Sequence, residues 1–96
     1  MPDQGDLLRR RDDGVVWREL EGEVVLLDLR SSMYFTLNST GKLLWDVLAQ
    51  PATAQSLAAS IVDAYGVSDA QAASDVEAFL GALAAHDLVQ STPDGR

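Results

Sequence analysis

A strand-rich first half followed by a helix-rich second half predicts an α+β fold, with a three-stranded antiparallel sheet preceding three helices. Three observations carry this expectation. β-Branched and alternating apolar residues fill Val15 to Leu37, apolar residues recur at helical spacing from Leu43 to Ala84, and the polar Asn38-Ser39-Thr40 separates the two regions. Sheet first and helices after, with no linker long enough to divide them and no internal repeat, is a winged helix-turn-helix-like order.

Each element follows from its residues. Val15-Val16-Trp17-Arg18-Glu19-Leu20 and Glu23-Val24-Val25-Leu26-Leu27-Asp28-Leu29 flank Glu21-Gly22, a two-residue hairpin turn. Val24 to Leu27 is an unbroken apolar run, so the second strand is expected to be central and at least partly covered on both faces. Arg30-Ser31-Ser32 forms a polar turn into a third strand, Met33 to Leu37, with Met33, Phe35 and Leu37 on one face and Tyr34 and Thr36 on the other. Asn38-Ser39-Thr40 suits the N-cap of a first helix, whose apolar residues Leu43, Leu44, Val47 and Leu48 run with Trp45 up to Pro51. A second helix opens near Thr53, carries Leu57, Ile61 and Tyr65, and stops at Gly66. Ser68 and Gln71 have capping-box spacing and start a longer third helix bearing Ala72, Ala73, Val76, Phe79, Leu80, Leu83 and Ala84. Residues 1–13, with only Leu7 and Leu8 to bury, are expected to be a flexible arm; 14–90 form the domain and 91–96 a loose tail.

Composition narrows the function. A chain of 96 residues buries only about two-thirds of its unfolded surface, which leaves little room for a catalytic cleft beside a core. There is no cysteine, so disulfides, thiolate catalysis and cysteine-ligated metals are excluded. The polar start and the absence of a long apolar run predict a soluble, cytoplasmic protein with no membrane contact. Net charge is −8, and no Lys or Arg lies between Leu43 and Gly95, where Asp46, Asp63, Asp69, Asp75, Glu77, Asp87 and Asp94 stand. A helix pair followed by a longer helix could read DNA, but phosphate needs a cationic surface and the third helix is acidic. Only Arg9-Arg10-Arg11 supports that reading. His86 is the one histidine, placed where a cation complements a helix C-terminus, and carboxylates are scattered, so neither catalysis nor a bound metal or other cofactor is expected.

Peptide capture remains. A short sheet has edges whose unpaired N–H and C=O groups can accept another strand, with alternate guest side chains entering a groove beside the neighbouring helix. Met33 to Leu37 is the candidate edge, and Ala72, Val76, Phe79 and Leu83 the candidate wall. On the residues alone, plain core is the preferred reading of the same side chains.

Gly22-Glu23-Val24-Val25-Leu26-Leu27-Asp28-Leu29-Arg30-Ser31, Tyr34-Phe35-Thr36-Leu37-Asn38-Ser39-Thr40-Gly41 and Leu44-Trp45 together resemble the PqqD-like family, the leader-peptide recognition elements of ribosomally made, modified peptides. The resemblance runs on through Leu57 to Tyr65 and Ala73 to Leu80, covering about Val15 to Val89. Leu-Asp-Leu-Arg-Ser and the aromatic pair before Leu-Asn look most like the stand-alone recognition protein of lasso-peptide biosynthesis. Ser32-Met33 stands where relatives often have Gly and a basic residue. The resemblance implies a winged-helix adaptor to whose third strand a precursor's leader adds as an antiparallel strand, lying against the third helix. Met33, Tyr34, Phe35 and Thr36 would form the pairing edge, and Asp69, Ala72, Ala73, Val76, Phe79 and Leu83 would line the groove. A leader like those of the family would insert a Tyr, a Pro and a Leu. The partners implied are the precursor's leader segment, a leader peptidase and a lasso cyclase. The alternative is a peptide chaperone for a radical-SAM maturase. The apolar second strand also leaves a homodimer open when partners are absent.

Overall fold

The computed structural model describes residues 7–92. Its elements are β1 (Leu7–Arg10), β2 (Val15–Leu20), β3 (Glu23–Asp28), β4 (Met33–Leu37), α1 (Ser39–Val47), α2 (Ala54–Tyr65), α3 (Asp69–Ala85) and β5 (Val89–Thr92). The expected order of strands and helices is present, with two added strands at the ends. β2, β3 and β4 form one antiparallel sheet with β3 in the middle, as its apolar run requires. Glu21 (φ 51°) and Gly22 (φ 86°) are both left-handed, the geometry whose twist matches a two-residue hairpin between Leu20 and Glu23.

One face of this sheet meets the helices. Val24 and Leu26 of β3 are fully buried, and so are Leu44, Trp45, Leu48, Leu57 and Leu88. Burying each such side chain contributes roughly 1.5–3 kcal/mol, the main stabilisation open to a small chain without disulfides. Trp17 of β2 meets Trp45 edge to face at a 5.4 Å centroid separation, and the Arg10 guanidinium lies 4.3 Å from the Trp17 ring centroid. The opposite face of the sheet leaves Val16, Leu20 and Tyr34 exposed.

The caps fall where the sequence places them. Asn38 accepts from Gly41 N–H, Thr53 and Ser56 form a reciprocal capping box, and Gly66 ends α2 in the left-handed conformation. At α3 the box is half made: Ser68 accepts from Gln71 N–H, while the Gln71 side chain turns forward to Asp75.

The arm and tail expected at the two ends are corrected by the structure. Leu7–Arg10 pairs antiparallel with Val89–Thr92, Leu8 exchanges backbone hydrogen bonds with Ala52, and Arg11 N–H donates to Leu88 O at 2.9 Å. Leu8 is partly buried against the core and Arg11 is 3% exposed. A segment with only two apolar residues is thus held by backbone pairing and by a buried ion pair, neither of which has an apolar signature in sequence. Residues 1–6 of the expected arm and 93–96 of the expected tail lie outside the described residues.

The Arg9-Arg10-Arg11 cluster is correspondingly not a free cationic patch. Arg9 and Arg10 pair with Asp12, Arg10 also donates to Trp45 O, and Arg11 is buried against Asp28.

Candidate functional site

β4 is an edge strand for a topological reason. The chain leaves Leu37 directly into α1, and β5, which could have extended the sheet, pairs with β1 instead. Its register places Phe35 opposite Leu26 and Leu37 opposite Val24, so Phe35 and Leu37 face the helices and Tyr34 and Thr36 the other side. At the opposite edge, β2, Trp17 meets Trp45 edge to face and Glu19 pairs with Lys42 of α1.

The turn into β4 carries strain. Ser32 sits at φ 62°, a left-handed conformation that disfavours a side chain, and its N–H donates to Asp28 O at 2.7 Å. Gly at this position keeps the hydrogen bond and removes the clash. Ser32→Gly is therefore expected to stabilise the protein by about 0.5 kcal/mol, after the larger unfolded-state entropy of Gly is subtracted, which a thermal melt reads as a rise of a few degrees.

Between β4 and α3 runs a seam with an opening at each end. The first, a cavity of about 490 Å³, has Thr36 and Leu37 on the strand side, Asp75, Ala78 and Phe79 on the helix side, and Gly41 at its base. A Cβ on Gly41 would come within 3.0 Å of Leu37 Cβ, so glycine lets α1 start this close to the strand. The second opening, about 380 Å³, lies at Met33 and at Ala85, His86 and Asp87 just past the end of α3. Between the two, Phe35 and His86 rings meet at 4.4 Å.

Behind the second opening sits a buried ion pair. Arg11 Nη2 donates to Asp28 Oδ1 at 2.7 Å, Arg30 N–H donates to the same oxygen, and the Ser31 hydroxyl donates to Oδ2. Burial pushes the Asp28 carboxyl up, but the Arg30 N–H, the Ser31 hydroxyl and the Arg11 guanidinium together outweigh it and hold the group below its ordinary 3.8. A carboxyl lowered in the folded state contributes stability above its unfolded pKa and loses it as pH falls through the folded one. Asp28→Asn is thus expected to melt below the parent at neutral pH, with the gap closing below about pH 4. A gap constant from pH 7 to pH 2 would contradict this.

Met33, Tyr34, Phe35 and Thr36 all lie on the β4 edge. The proposed wall divides. Ala72, Val76 and Leu83 are buried in the core at 0%, 2% and 3% exposure, so their side chains offer a guest no free surface, while Phe79 is half-buried and lines the first cavity. Asp69 and Ala73 are exposed, but at about 100° per residue they fall on the flank of α3 across the buried stripe from Asp75 and Ala78. The helix face on the seam is that of Asp75, Ala78 and Phe79, one step round from the apolar stripe. Sequence reasoning did not name Asp75 and Ala78, which line the first cavity, because the helix face beside a core stripe is only partly apolar. Gly41, Leu44, Arg11 and Arg30 were missed because tertiary packing brings them there. Among the described residues no cluster of acidic or histidine side chains could hold a metal ion, and no helix is long and apolar enough to cross a membrane.

The family described as coenzyme PQQ synthesis protein D (PqqD) matches residues 23–89, well over half of the chain. The chain belongs to the PqqD family. The match begins at β3 and ends at β5, so this PqqD protein carries β4 and α3 inside the family region, while Arg11 of the second opening lies outside it. Two solved structures share its fold. One is TbiB1 in complex with the TbiA(beta) leader peptide, 30% identical, with a TM-score of 0.78 over 90% of this chain and 99% of that one. The other is lasso peptide synthetase B1 complexed with the leader peptide, 25% identical, with a TM-score of 0.74 over 86% of this chain and 96% of that one. No curated protein sequence matches the chain.

Proposed function

We propose that this PqqD-family protein is a leader-peptide-binding adaptor. The leader of a ribosomally made precursor adds as an antiparallel strand to β4, its side chains entering the seam against α3. The observation that carries this reading is the open β4 edge with a cavity beside it, in a fold shared across nearly its whole length with two proteins solved with leader peptides bound. Backbone pairing supplies affinity whatever the guest's side chains, and the cavity supplies selectivity. The pairing edge is Met33 to Thr36, and the wall is Asp75, Ala78 and Phe79.

The adaptor then presents the precursor to a leader peptidase and a lasso cyclase. The lasso neighbour favours these partners over a radical-SAM maturase, the reading that the family's description keeps open. Titration of the protein with the TbiA(beta) leader and with the leader bound to lasso peptide synthetase B1 tests capture. Saturable binding of at least one is expected. The same peptide methylated on alternate backbone nitrogens should bind far more weakly, because strand addition needs those N–H groups. Equal binding of the methylated peptide would exclude strand addition.

A further inference from the structure

The two ends of the seam differ in charge. The Thr36 end has Asp75 and no cationic side chain in its lining, whereas the Met33 end has Arg11 and Arg30, with His86 beside them, balanced by Asp28 and Asp87. Met33 lies near the C-terminal end of α3 and Thr36 near its middle, so a guest antiparallel to β4 passes the acidic end first and the arginines last.

Donors exceed acceptors at the arginine end. Both Asp28 oxygens are engaged, by Arg11, Arg30 N–H and Ser31. Arg11, 3% exposed, has Nε and Nη1 without a hydrogen-bond partner among the described residues. Asp87 Oδ2 is shared unequally, 2.9 Å from Arg30 Nη2 and 3.6 Å from Arg11 Nη1, the latter too long for a hydrogen bond. Asp87 is itself 71% exposed on a left-handed residue, and Arg30 is 56% exposed and open to a guest. Buried donors left unmet are destabilising, so a further acceptor here is favourable.

We infer that this end of the seam is a carboxylate subsite, taking an Asp or Glu side chain that lies C-terminal to the paired strand of the guest. The inference rests on the antiparallel capture proposed above. The incoming carboxylate accepts from the Arg30 guanidinium, in the two-oxygen geometry that guanidinium favours, and releases Asp87 to close on Arg11 Nη1. The seam thereby reads the charge order of its guest: bases tolerated toward the N-terminal side over Asp75, an acid required toward the C-terminal side. A guest threaded in the opposite direction meets both charges wrongly.

A positional scan tests this. Each position of the two leader peptides named above is replaced in turn by Glu and by Gln, and binding is measured to the protein and to its Arg30→Gln and Arg30→Glu variants. Arg30 is exposed, so these variants keep the fold. At one position, C-terminal to the segment that pairs with β4, Glu should bind roughly tenfold tighter than Gln. That ratio should fall to about one in Arg30→Gln and invert in Arg30→Glu. Peptides that bind with no position favouring Glu, or a preference unaltered in Arg30→Glu, would overturn the subsite and leave strand capture standing. Absence of binding by every peptide would remove the capture reading and the subsite with it.

Discussion

Ala78→Trp is expected to weaken capture of a leader peptide by at least about tenfold while leaving the melting temperature within a few degrees of the parent. Ala78 is exposed on α3 and lines the cavity opposite Thr36, so an indole there occupies the space proposed for a guest side chain. It replaces no core contact. The loss of helix propensity from Ala to Trp is roughly 0.5 kcal/mol, small beside the stability of a domain. Other substitutions on α3 are less informative. Val76→Asp puts a charge at a position 2% exposed and would unfold the chain, and Phe79→Ala removes a ring packed against the core as well as one lining the cavity. Either would lose binding together with the fold. Parental affinity in a folded Ala78→Trp protein, measured by titration with the same leader, would show that the guest lies elsewhere.

The second large effect is on stability. Arg11→Met is expected to cost about 3 kcal/mol and to lower the melting temperature by on the order of 15 °C, because it strips a buried carboxylate of its cation. Arg11 is also the residue through which the chain between β1 and β2 is tied to the end of β3, its N–H bonded to Leu88 O and its guanidinium to Asp28. Replacing both partners by apolar residues, Arg11→Met with Asp28→Leu, should recover a good part of the loss, since the penalty arises from the unpaired charge. An Arg11→Met protein that melts with the parent would mean that the pair contributes nothing and that β1 is held by backbone pairing alone.

The fold was legible where periodicity and caps agree. The hairpin at Glu21-Gly22, the central β3, the N-caps at Asn38, Thr53 and Ser68 and the stop at Gly66 each have a local chemical signature, and each is where the sequence puts it. β1 and β5 were not legible. Their pairing joins residues 79 to 85 positions apart through backbone groups, which no side-chain pattern announces, and the charge that holds the join, Arg11, reads in sequence as a solvated base. The site was half legible. An edge strand follows from strand count and from the immediate entry into α1, so Met33 to Thr36 could be named. The wall could not, because an apolar stripe on an amphipathic helix marks the face turned to the core. Ala72, Val76 and Leu83 are that face, and the face proposed for the guest is its neighbour, where an acid and an alanine stand beside one aromatic ring.

Capture on β4 is most directly tested by amide hydrogen exchange with and without bound leader peptide. The sheet has two edges, β2 and β4, and each has backbone N–H groups that point away from β3 and exchange freely when unpaired. Leader binding should slow exchange at amides within Met33 to Leu37 and leave the outward amides of Val15 to Leu20 unchanged. Protection at β2, or binding without protection at either edge, would contradict strand addition at β4.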